Sequence, residues 1–469
     1  MLQTIINAWK IADLRKKILF TALIIFIFRL GAAIPVPFTN IIVDASSWLS
    51  VNKGILDGAA EGTFMSYLSM MTGDAFAYGT IFAMSITPYI NASIIMQLLT
   101  VAIPPLERLS KEGEEGRKKI ASITRFVTVG LGLMQSTAYY FYLRNQDYLM
   151  QDASGADFKG FYDVFQALVI ISCLTAGTAF IMWLGEQINN KGIGNGISMI
   201  LFAGIVSRIP SMVVMVAQYF TLGANGSDNK AYYAYYALVP LVAIITLLMI
   251  AFIVWMDNAE RRIPVQYAKR VVGRKMYGGQ STHIPMKVNM SGVMPVIFAS
   301  SILSLPPTIE MFVNVKEGSG WDKFFGIFQA THPVYVVLYF VMIIFFAYFY
   351  AQIQYNPIEM ANNIRKNSGA IPGIRPGKPT SDYIAKILSR LTLLGALLLS
   401  VVALFPTIFS QIATACLKLG GVEEGLNISL GGTSLMICVG VALETIRQIE
   451  SQMMMRHYKC FLEKSKVKA

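Results

Sequence analysis

Glycine-rich runs are the parts of this chain whose spacing comes closest to a motif that does chemistry. Residues 192–197 read GIGNGI, and glycines in such runs let backbone amides approach a phosphate group. A dinucleotide-binding fingerprint, however, has G-x-G-x-x-G after a strand, whereas here the spacing is G-x-G-x-G after a long apolar segment. The run at 373–379, GIRPGKP, is too short for a nucleotide phosphate loop, and Pro379 stands where that loop needs Ser or Thr. We therefore predict tight turns at both places.

The residue types that most often catalyse reactions or bind metals are few and scattered. No HExxH, GxSxG or kinase signature occurs, and the cysteines show neither a CxxC pair nor the pattern of a disulfide framework. The histidines are His283, His332 and His457, and the cysteines are Cys173, Cys416, Cys438 and Cys460. We therefore expect no catalytic residue, no metal site and no cofactor, and we expect any energy source to be external.

Composition identifies the elements on which these residues must lie. Of the 469 residues, 55% are hydrophobic and 14% are charged, with a mean hydropathy of +0.53, whereas soluble proteins carry about 25% charged residues. Apolar segments recur from end to end, which predicts an α-helical membrane protein with many spans. The ten predicted spans lie near 18–36, 80–103, 121–143, 165–185, 196–216, 237–256, 291–313, 334–354, 388–408 and 430–448.

The distribution of Lys and Arg predicts how these spans are oriented. Basic residues concentrate in the loops after spans two, six and eight and in the tail, and the net charge is +12. Three of the intervening loops, 37–79, 217–236 and 409–429, each hold a single lysine. Because Lys and Arg accumulate on cytoplasmic loops, both termini are predicted to be cytoplasmic.

The cytoplasmic loops 257–290 and 355–387 are long for a compact helical bundle, and loops of this length are usually functional or disordered. The first contains RRIPVQYAKRVVGRKMYGG at 261–279, in which tyrosines lie between basic residues. This composition suits a phosphate backbone or an acidic protein surface, although the topology alone would also account for the charges.

The uncharged stretch 80–100, TIFAMSITPYINASIIMQLLT, is predicted to form a helix long enough to cross a membrane. Its polar residues and Pro88 make it a poor simple anchor, and helical spacing places Ile86, Ile90 and Ile94 on one stripe. It could therefore line a passage, or it could use its polar side chains for ordinary helix packing. The Met-rich segment 62–78 before it is too short to span a membrane.

Longer stretches resemble the SecY family of protein-conducting channels. They include IFAMSITPYINASIIMQLLT at 81–100, KEGEEGRKKI at 111–120, GEQINNKGIGNGISMILFAGIV at 185–206, QSTHIPMKVNMSGVMPVIFASSI at 280–302, NPIEMANNIRKNSGAIPGIRPG at 356–377 and GGTSLMI at 431–437. The resemblance covers essentially 1–455 and is far more specific than any short motif.

The resemblance implies an all-α polytopic membrane protein, with ten transmembrane helices in two inverted five-helix halves that form an hourglass pore. The expected N-terminal half is 1–216, with a plug at 62–78, and the expected C-terminal half is 217–455, followed by a basic cytoplasmic tail at 456–469. The implied function is the central channel of the Sec translocon, which passes unfolded secretory proteins across the membrane and releases membrane-protein helices sideways into it.

The resemblance also implies roles for individual residues. The pore ring would consist of Ile86, Ile90, Leu201, Ile205, Ile297 and Ile437, with leucine at 201 where the family commonly has isoleucine. The plug would include Met65, Tyr67, Leu68, Met70 and Met71. The lateral gate would use Thr87, Gln97, Ser300 and Ser301, and docking of SecA or the ribosome would use Arg262, Lys269, Arg270, Arg274, Lys275 and Arg375.

The partners implied by the resemblance are SecE, SecG, SecA, the ribosome with its RNA and proteins, signal sequences, nascent chains and membrane lipids, in the bacterial plasma membrane. Two alternatives come from other classes of protein. A secondary transporter for a small solute is disfavoured because no Asp, Glu or His is evident at mid-membrane depth. A membrane enzyme or assembly scaffold is disfavoured by the lack of a catalytic motif.

Overall fold

The protein is built mainly from helices. The computed structural model describes residues 6, 8–39, 69, 72, 73, 75–145, 148–150, 161–210, 213, 214, 217, 234–267, 270–272, 275–277, 281–303, 305–310, 320–328, 332–367, 369–419 and 432–466. The helices of the first part are α1 Ala12–Gly31, α2 Thr87–Ala102, α3 Pro104–Lys111, α4 Glu114–Asn145, α5 Phe161–Lys191 and α6 Gly196–Val206.

The second part contains further helices and a small amount of β-structure. Its helices are α7 Ala234–Asn258, α8 Met294–Leu303, α9 Leu305–Glu310, α10 Gly320–Gly326, α11 Pro333–Gln354, α12 Pro357–Lys366, α13 Lys378–Leu419 and α14 Gly432–Lys466. Its strands are β1 Glu260–Tyr267, β2 Arg270–Val272, β3 Lys275–Tyr277, β4 Ser281–Lys287 and β5 Gly369–Ala370. The boundary expected at 455 falls inside α14, which continues into the basic tail.

Each of the ten predicted apolar segments overlaps a helix. By length and composition, four helical stretches in the described ranges could cross a membrane, namely Phe161–Lys191, Pro240–Asn258, Pro333–Lys366 and Lys378–Phe409. Helices α2 and α3 would make a fifth if they are one span, although the chain bends by 101° between them. The bend occurs at Pro104, which starts α3 and ends the predicted second span.

Helix α2 begins later than the sequence predicts. The helix expected over 80–100 is wrong in its first part, because 81–86 form successive turns and Ile86 is the N-cap. Ser85 adopts a positive φ of 48° just before this cap. Pro88 lies in the first turn of α2, where its missing N–H would have no partner within the helix. The proline therefore starts this helix and does not interrupt it.

The helices pack as two groups that meet along two seams. In the first group, α4 packs against α2 and α5, and α1 packs against α5 and α6. In the second, α11 packs against α8 and α13, and α14 packs against α7 and α13. Between the groups, α6 packs against α14 and α2 contacts α8. We name these the α6–α14 seam and the α2–α8 seam.

The two long loops that are predicted to be cytoplasmic fold together, and after this prediction we name the sheet of β1, β4 and β5 with the adjoining GIRPG turn the cytoplasmic unit. Strand β1 pairs antiparallel with β4 on one side and, at Gln266 and Tyr267, with β5 of the second loop on the other. Ile263 and Val265 of β1 enter a shared apolar cluster that also contains Ile371. Parts of both loops therefore form one folded unit, whereas β2 and β3 pair with each other in a separate two-stranded sheet.

Candidate functional site

The six residues of the predicted pore ring come together in one apolar cluster. Ile86, Leu201, Ile205 and Ile437 are buried members of this cluster, and the half-buried Ile90 and Ile297 pack against it. The six side chains belong to the start of α2 and to α6, α8 and α14, so they come from both groups of helices. Leu201, which stands where the family commonly has isoleucine, is 3% exposed and packs within the same cluster.

The cluster has the physical character of a seal. Aliphatic side chains around a narrow passage disfavour water and ions, and such a constriction can close by dewetting. These side chains also provide no hydrogen-bond partner, so they would not discriminate between polypeptides of different sequence. The arrangement is therefore compatible with the passage of many different chains.

The described part of the predicted plug segment packs against the ring helices. Gly73 has a positive φ of 65°, and a Cβ atom there would lie 2.7 Å from the carbonyl oxygen of Gly204 in α6. Ala75 is buried in the ring cluster itself. The Tyr139 hydroxyl of α4 donates a 2.7 Å hydrogen bond to the carbonyl of Phe76, which fixes the end of the segment. The expected plug residues Met65, Tyr67, Leu68, Met70 and Met71 lie outside the described residues.

The predicted lateral-gate residues lie on the two helices of the α2–α8 seam. Thr87 and Gln97 are half-buried on α2, and Ser300 is buried on α8 next to the half-buried Ser301. The Ser300 hydroxyl donates to the carbonyl of Ile297 within α8, at 2.9 Å. Ile94 of α2 shares a buried apolar cluster with Val296 and Ala299 of α8.

Helix α2 bridges two of the apolar clusters of the protein. Ile86 is buried in the ring cluster, whereas Ile94 is buried in the cluster built by α8, α11, α13 and α14. Ile90, between them on the same stripe, packs against both clusters. Helix α2 of the first group thus also packs against the apolar cluster of the second group, as the predicted side of a gate would.

Two of the predicted docking residues, Arg262 and Arg375, lie on the cytoplasmic unit. Arg262 is exposed on β1, where it forms a 2.7 Å ion pair with Glu260 on the same strand. Arg375 is exposed in the GIRPG turn, whose backbone is held by a 2.8 Å hydrogen bond from the Thr380 hydroxyl to the Arg375 carbonyl. The remaining members are Arg270 and Lys275, placed by the backbone on β2 and β3, and Lys269 and Arg274, which lie outside the described residues.

Sequence reasoning missed an arginine that connects this unit to the ring helices. Arg447 of α14 forms a 3.2 Å ion pair with Asp257 at the end of α7. The same guanidinium donates to the carbonyl oxygen of Asp257 at 3.1 Å and to Oδ1 of Asn258 at 2.7 Å. Strand β1 begins two residues later, so Arg447 anchors the base of the sheet to the helix that carries Ile437.

Comparison with known proteins decides the family. The sequence matches the family model described as SecY over residues 80–446. The chain belongs to the SecY family. Protein translocase subunit SecY of Streptomyces galbus is 40% identical over 464 residues, which cover 98% of this chain and 100% of that protein. The corresponding subunit of Mycobacterium bovis is 41% identical over 471 residues, which cover 99% of this chain and 100% of that protein.

Solved channel structures share the fold. One, described as the structure of a protein conducting channel, superposes with a TM-score of 0.53 at 17% identity, covering 94% of this chain and 92% of that one. Sec61 in the canine ribosome–channel complex from the endoplasmic reticulum gives a TM-score of 0.52 at 16% identity, with the same coverage. The predicted helical membrane-channel fold is confirmed, while the count of ten spans stays a prediction.

These comparisons establish what kind of protein the chain is. As a SecY-family member it is a multi-pass membrane protein that forms a protein-conducting channel, and it is not an enzyme. The roles of individual residues in the ring, plug, gate and docking surface stay predictions, which the geometry above makes testable.

Proposed function

We propose that the chain is the central pore of a bacterial Sec translocon, with the ring of Ile86, Ile90, Leu201, Ile205, Ile297 and Ile437 as its seal. The single observation that carries this proposal is the convergence of the six side chains, from four helices of both groups, in one apolar cluster. Unfolded secretory chains pass through this ring in an extended form, and the aliphatic side chains close around them.

The plug and the lateral gate complete the same device. The segment 62–78 closes the outer side of the ring, and its described residues support this role because Gly73 abuts α6 and Ala75 enters the ring cluster. The α2–α8 seam is the lateral gate, through which apolar segments of membrane proteins leave for the lipid. Thr87, Gln97, Ser300 and Ser301 line this seam at the point where it parts.

The exposed basic side chains of the cytoplasmic unit bind the ribosome or the SecA motor. Arg262 and Arg375 protrude from a sheet and a turn that share one apolar core, so they are presented at a fixed spacing. Guanidinium groups suit both ribosomal RNA phosphates and acidic protein surfaces. The ribosome-bound state of the similar canine channel supports the ribosome as one partner.

The remaining parts of the proposal concern the surroundings of the pore. SecE and SecG complete the complex, signal sequences and nascent chains enter it, and membrane lipids surround it. The membrane is the bacterial plasma membrane, with both termini cytoplasmic, since the basic loops 257–290 and 355–387 and the basic tail then share one side.

Polar substitution in the ring tests the proposed function. Ile437→Asn places an amide among aliphatic side chains, which favours wetting of the constriction, so we expect a severalfold higher ion conductance of the resting channel in planar bilayers. Phe126→Asn on α4, whose side chain is 78% exposed on the outside of the bundle, is the control and should leave conductance unchanged. Equal conductance for Ile437→Asn and the unmodified protein would exclude the ring as placed.

A further inference from the structure

The GIGNGI run at 192–197 forms the turn between α5 and α6, and the backbone amides that could have bound a phosphate are already used. The amide of Gly194 donates to Oε1 of Gln448 at 2.6 Å, and that of Ile193 donates to the Thr21 hydroxyl at 3.1 Å. The amide of Gly196 donates to Oδ1 of Asn189 at 2.7 Å. The amide of Ile197 donates to Oδ1 of Asn195, the N-cap of α6, at 3.2 Å. The turn is therefore a junction at which side chains of α1, α5 and α14 meet.

Glycine is required in this junction for steric reasons. Gly194 has a positive φ of 89°, and a Cβ atom there would lie 3.0 Å from the side chain of Met199. A Cβ atom on Gly196 would overlap the carbonyl group of Gly185 in α5. The close approach of α5 to the start of α6 and the bond to α14 thus depend on the same six residues.

Helix α14 faces the junction with a polar stripe. Gln448 bonds to the turn, Thr445 Oγ1 lies 3.5 Å from Sδ of Met199 in α6, and Gln452 accepts from the Lys17 ammonium of α1 at 3.3 Å. Positions 445, 448 and 452 recur every three or four residues, so they share one face of the helix. Along the α6–α14 seam, this stripe joins the second group of helices to the first.

The junction lies close to the pore ring on both helices that it joins. Ile437 precedes Gln448 by eleven residues of the same helix, which is about 16 Å along the axis. Leu201 follows Gly196 by five residues, or about 8 Å along α6. A shift of α14 relative to the turn would therefore move Ile437 relative to Leu201 and Ile205, which belong to the same cluster.

We propose that Gln448 is a positioning residue of the channel, which acts through the amide of Gly194 to hold α14, and with it Ile437, in register with α6. The proposal rests on the proposed function of the ring. Gly194 is buried although Gln448 is exposed overall, so replacing Gln448 by leucine removes the acceptor of an amide that lies inside the protein. A state in which α14 has shifted away from α6 along the α6–α14 seam then becomes more populated, and the ring admits water more often.

A native cysteine provides a readout of this movement. Cys438 is half-buried, follows Ile437 directly and packs against the ring cluster. In a background in which Cys173, Cys416 and Cys460 are replaced by alanine, the rate of Cys438 modification by a water-soluble maleimide reports how often water reaches this level. Modification rates and resting conductance are measured on the same reconstituted protein.

We expect Gln448→Leu to raise the Cys438 modification rate about fivefold, which corresponds to the loss of one hydrogen bond to a buried donor, and to raise resting conductance. Gln448→Glu keeps an acceptor for the Gly194 amide, so Cys438 in this variant should be modified at close to the original rate. Gln452→Leu is the matched control one turn further along α14; its bond to Lys17 is longer, so its effect should be small.

Each of the other outcomes is decisive. The positioning role would be overturned by any of three Cys438 modification rates. These are a Gln448→Leu rate equal to the original, a Gln448→Glu rate as high as that of Gln448→Leu, and a Gln452→Leu rate equal to that of Gln448→Leu. Failure of Ile437→Asn to raise conductance would overturn the ring assignment instead, and the Cys438 rates would still judge the contact between Gln448 and Gly194.

Discussion

The proposed pore ring and the proposed docking surface have opposite chemistry. The six ring residues are aliphatic, come from helices of both groups and are each buried or half-buried. The cytoplasmic unit presents exposed arginines on a sheet and a turn that have their own apolar core. The first region gives a passing chain no directional contact, whereas the second offers charged groups in a fixed arrangement.

Under the proposed roles, this difference would let one chain accept many substrates and still select its docking partners. Apolar packing depends on shape and area, so a ring of isoleucines treats most extended chains alike. Charge-assisted hydrogen bonds depend on distance and direction, and they set which surface can dock and how fast. Substitutions in the two regions should therefore have separable effects on resting conductance and on driven transport.

Charge reversal in the GIRPG turn should have the largest effect on transport. In Arg375→Glu the exposed guanidinium becomes a carboxylate that repels phosphate or acidic partners, so we expect about a tenfold or greater loss of SecA- or ribosome-driven translocation into vesicles. Resting conductance should stay unchanged, because the turn lies on the cytoplasmic core and the ring belongs to a different cluster.

The matched control is Arg108→Glu, which reverses an exposed arginine on α3 outside the cytoplasmic unit. It should retain most of the activity that Arg375→Glu loses. Normal export by Arg375→Glu would refute the docking assignment, and raised conductance in that variant would refute the separation of the two regions.

Much of the interior could be predicted from the sequence, because apolar segments and the stripe of Ile86, Ile90 and Ile94 follow directly from helical periodicity. The residue at which α2 starts could not be predicted from the sequence. A proline eight residues into an uncharged stretch is as compatible with a kink as with a first turn, and the positive φ of Ser85 has no signature in the sequence. The site-by-site roles came from the family resemblance and not from periodicity.

The cytoplasmic unit was harder to predict for identifiable physical reasons. Strands β1 and β4 contain Pro264 and Pro285, and a proline within an apolar–polar alternation argues against a strand. The structure tolerates Pro264 in β1 because β5 pairs only with Gln266 and Tyr267, further along the strand. The contacts of Arg447 and Gln448 join residues about 190 and 254 positions apart, and no local pattern encodes such pairs.

The smallest expected effect comes from a polar atom buried in the interior. Asn91 of α2 is 7% exposed, and its Oδ1 has no hydrogen-bond partner within the described part of the chain. Asn91→Leu keeps the branching at Cγ and removes this buried acceptor, so we expect the free energy of unfolding in detergent to rise by about 1 kcal/mol. Ser93→Ala, half-buried on the same helix, should change stability by less than about 0.5 kcal/mol.

A destabilised Asn91→Leu protein would show that the amide has a partner in the folded channel. A stabilised variant with slower transport would instead indicate that the buried amide weakens the α2–α8 seam so that it can part. Either result can be compared with the proposed docking surface, where polar groups are exposed and we expect their loss to affect partner binding more than folding.

The most direct test of the central claim is whether a translocating chain touches the ring. A photo-crosslinking amino acid at position 90, on the half-buried face of α2 that packs against both apolar clusters, is compared with the same probe at position 126 on the exposed outer face of α4. With a secretory chain arrested in transit, we predict crosslinks from position 90 and none from position 126. No crosslink from position 90, or equal crosslinking from both positions, would contradict the pore as assigned.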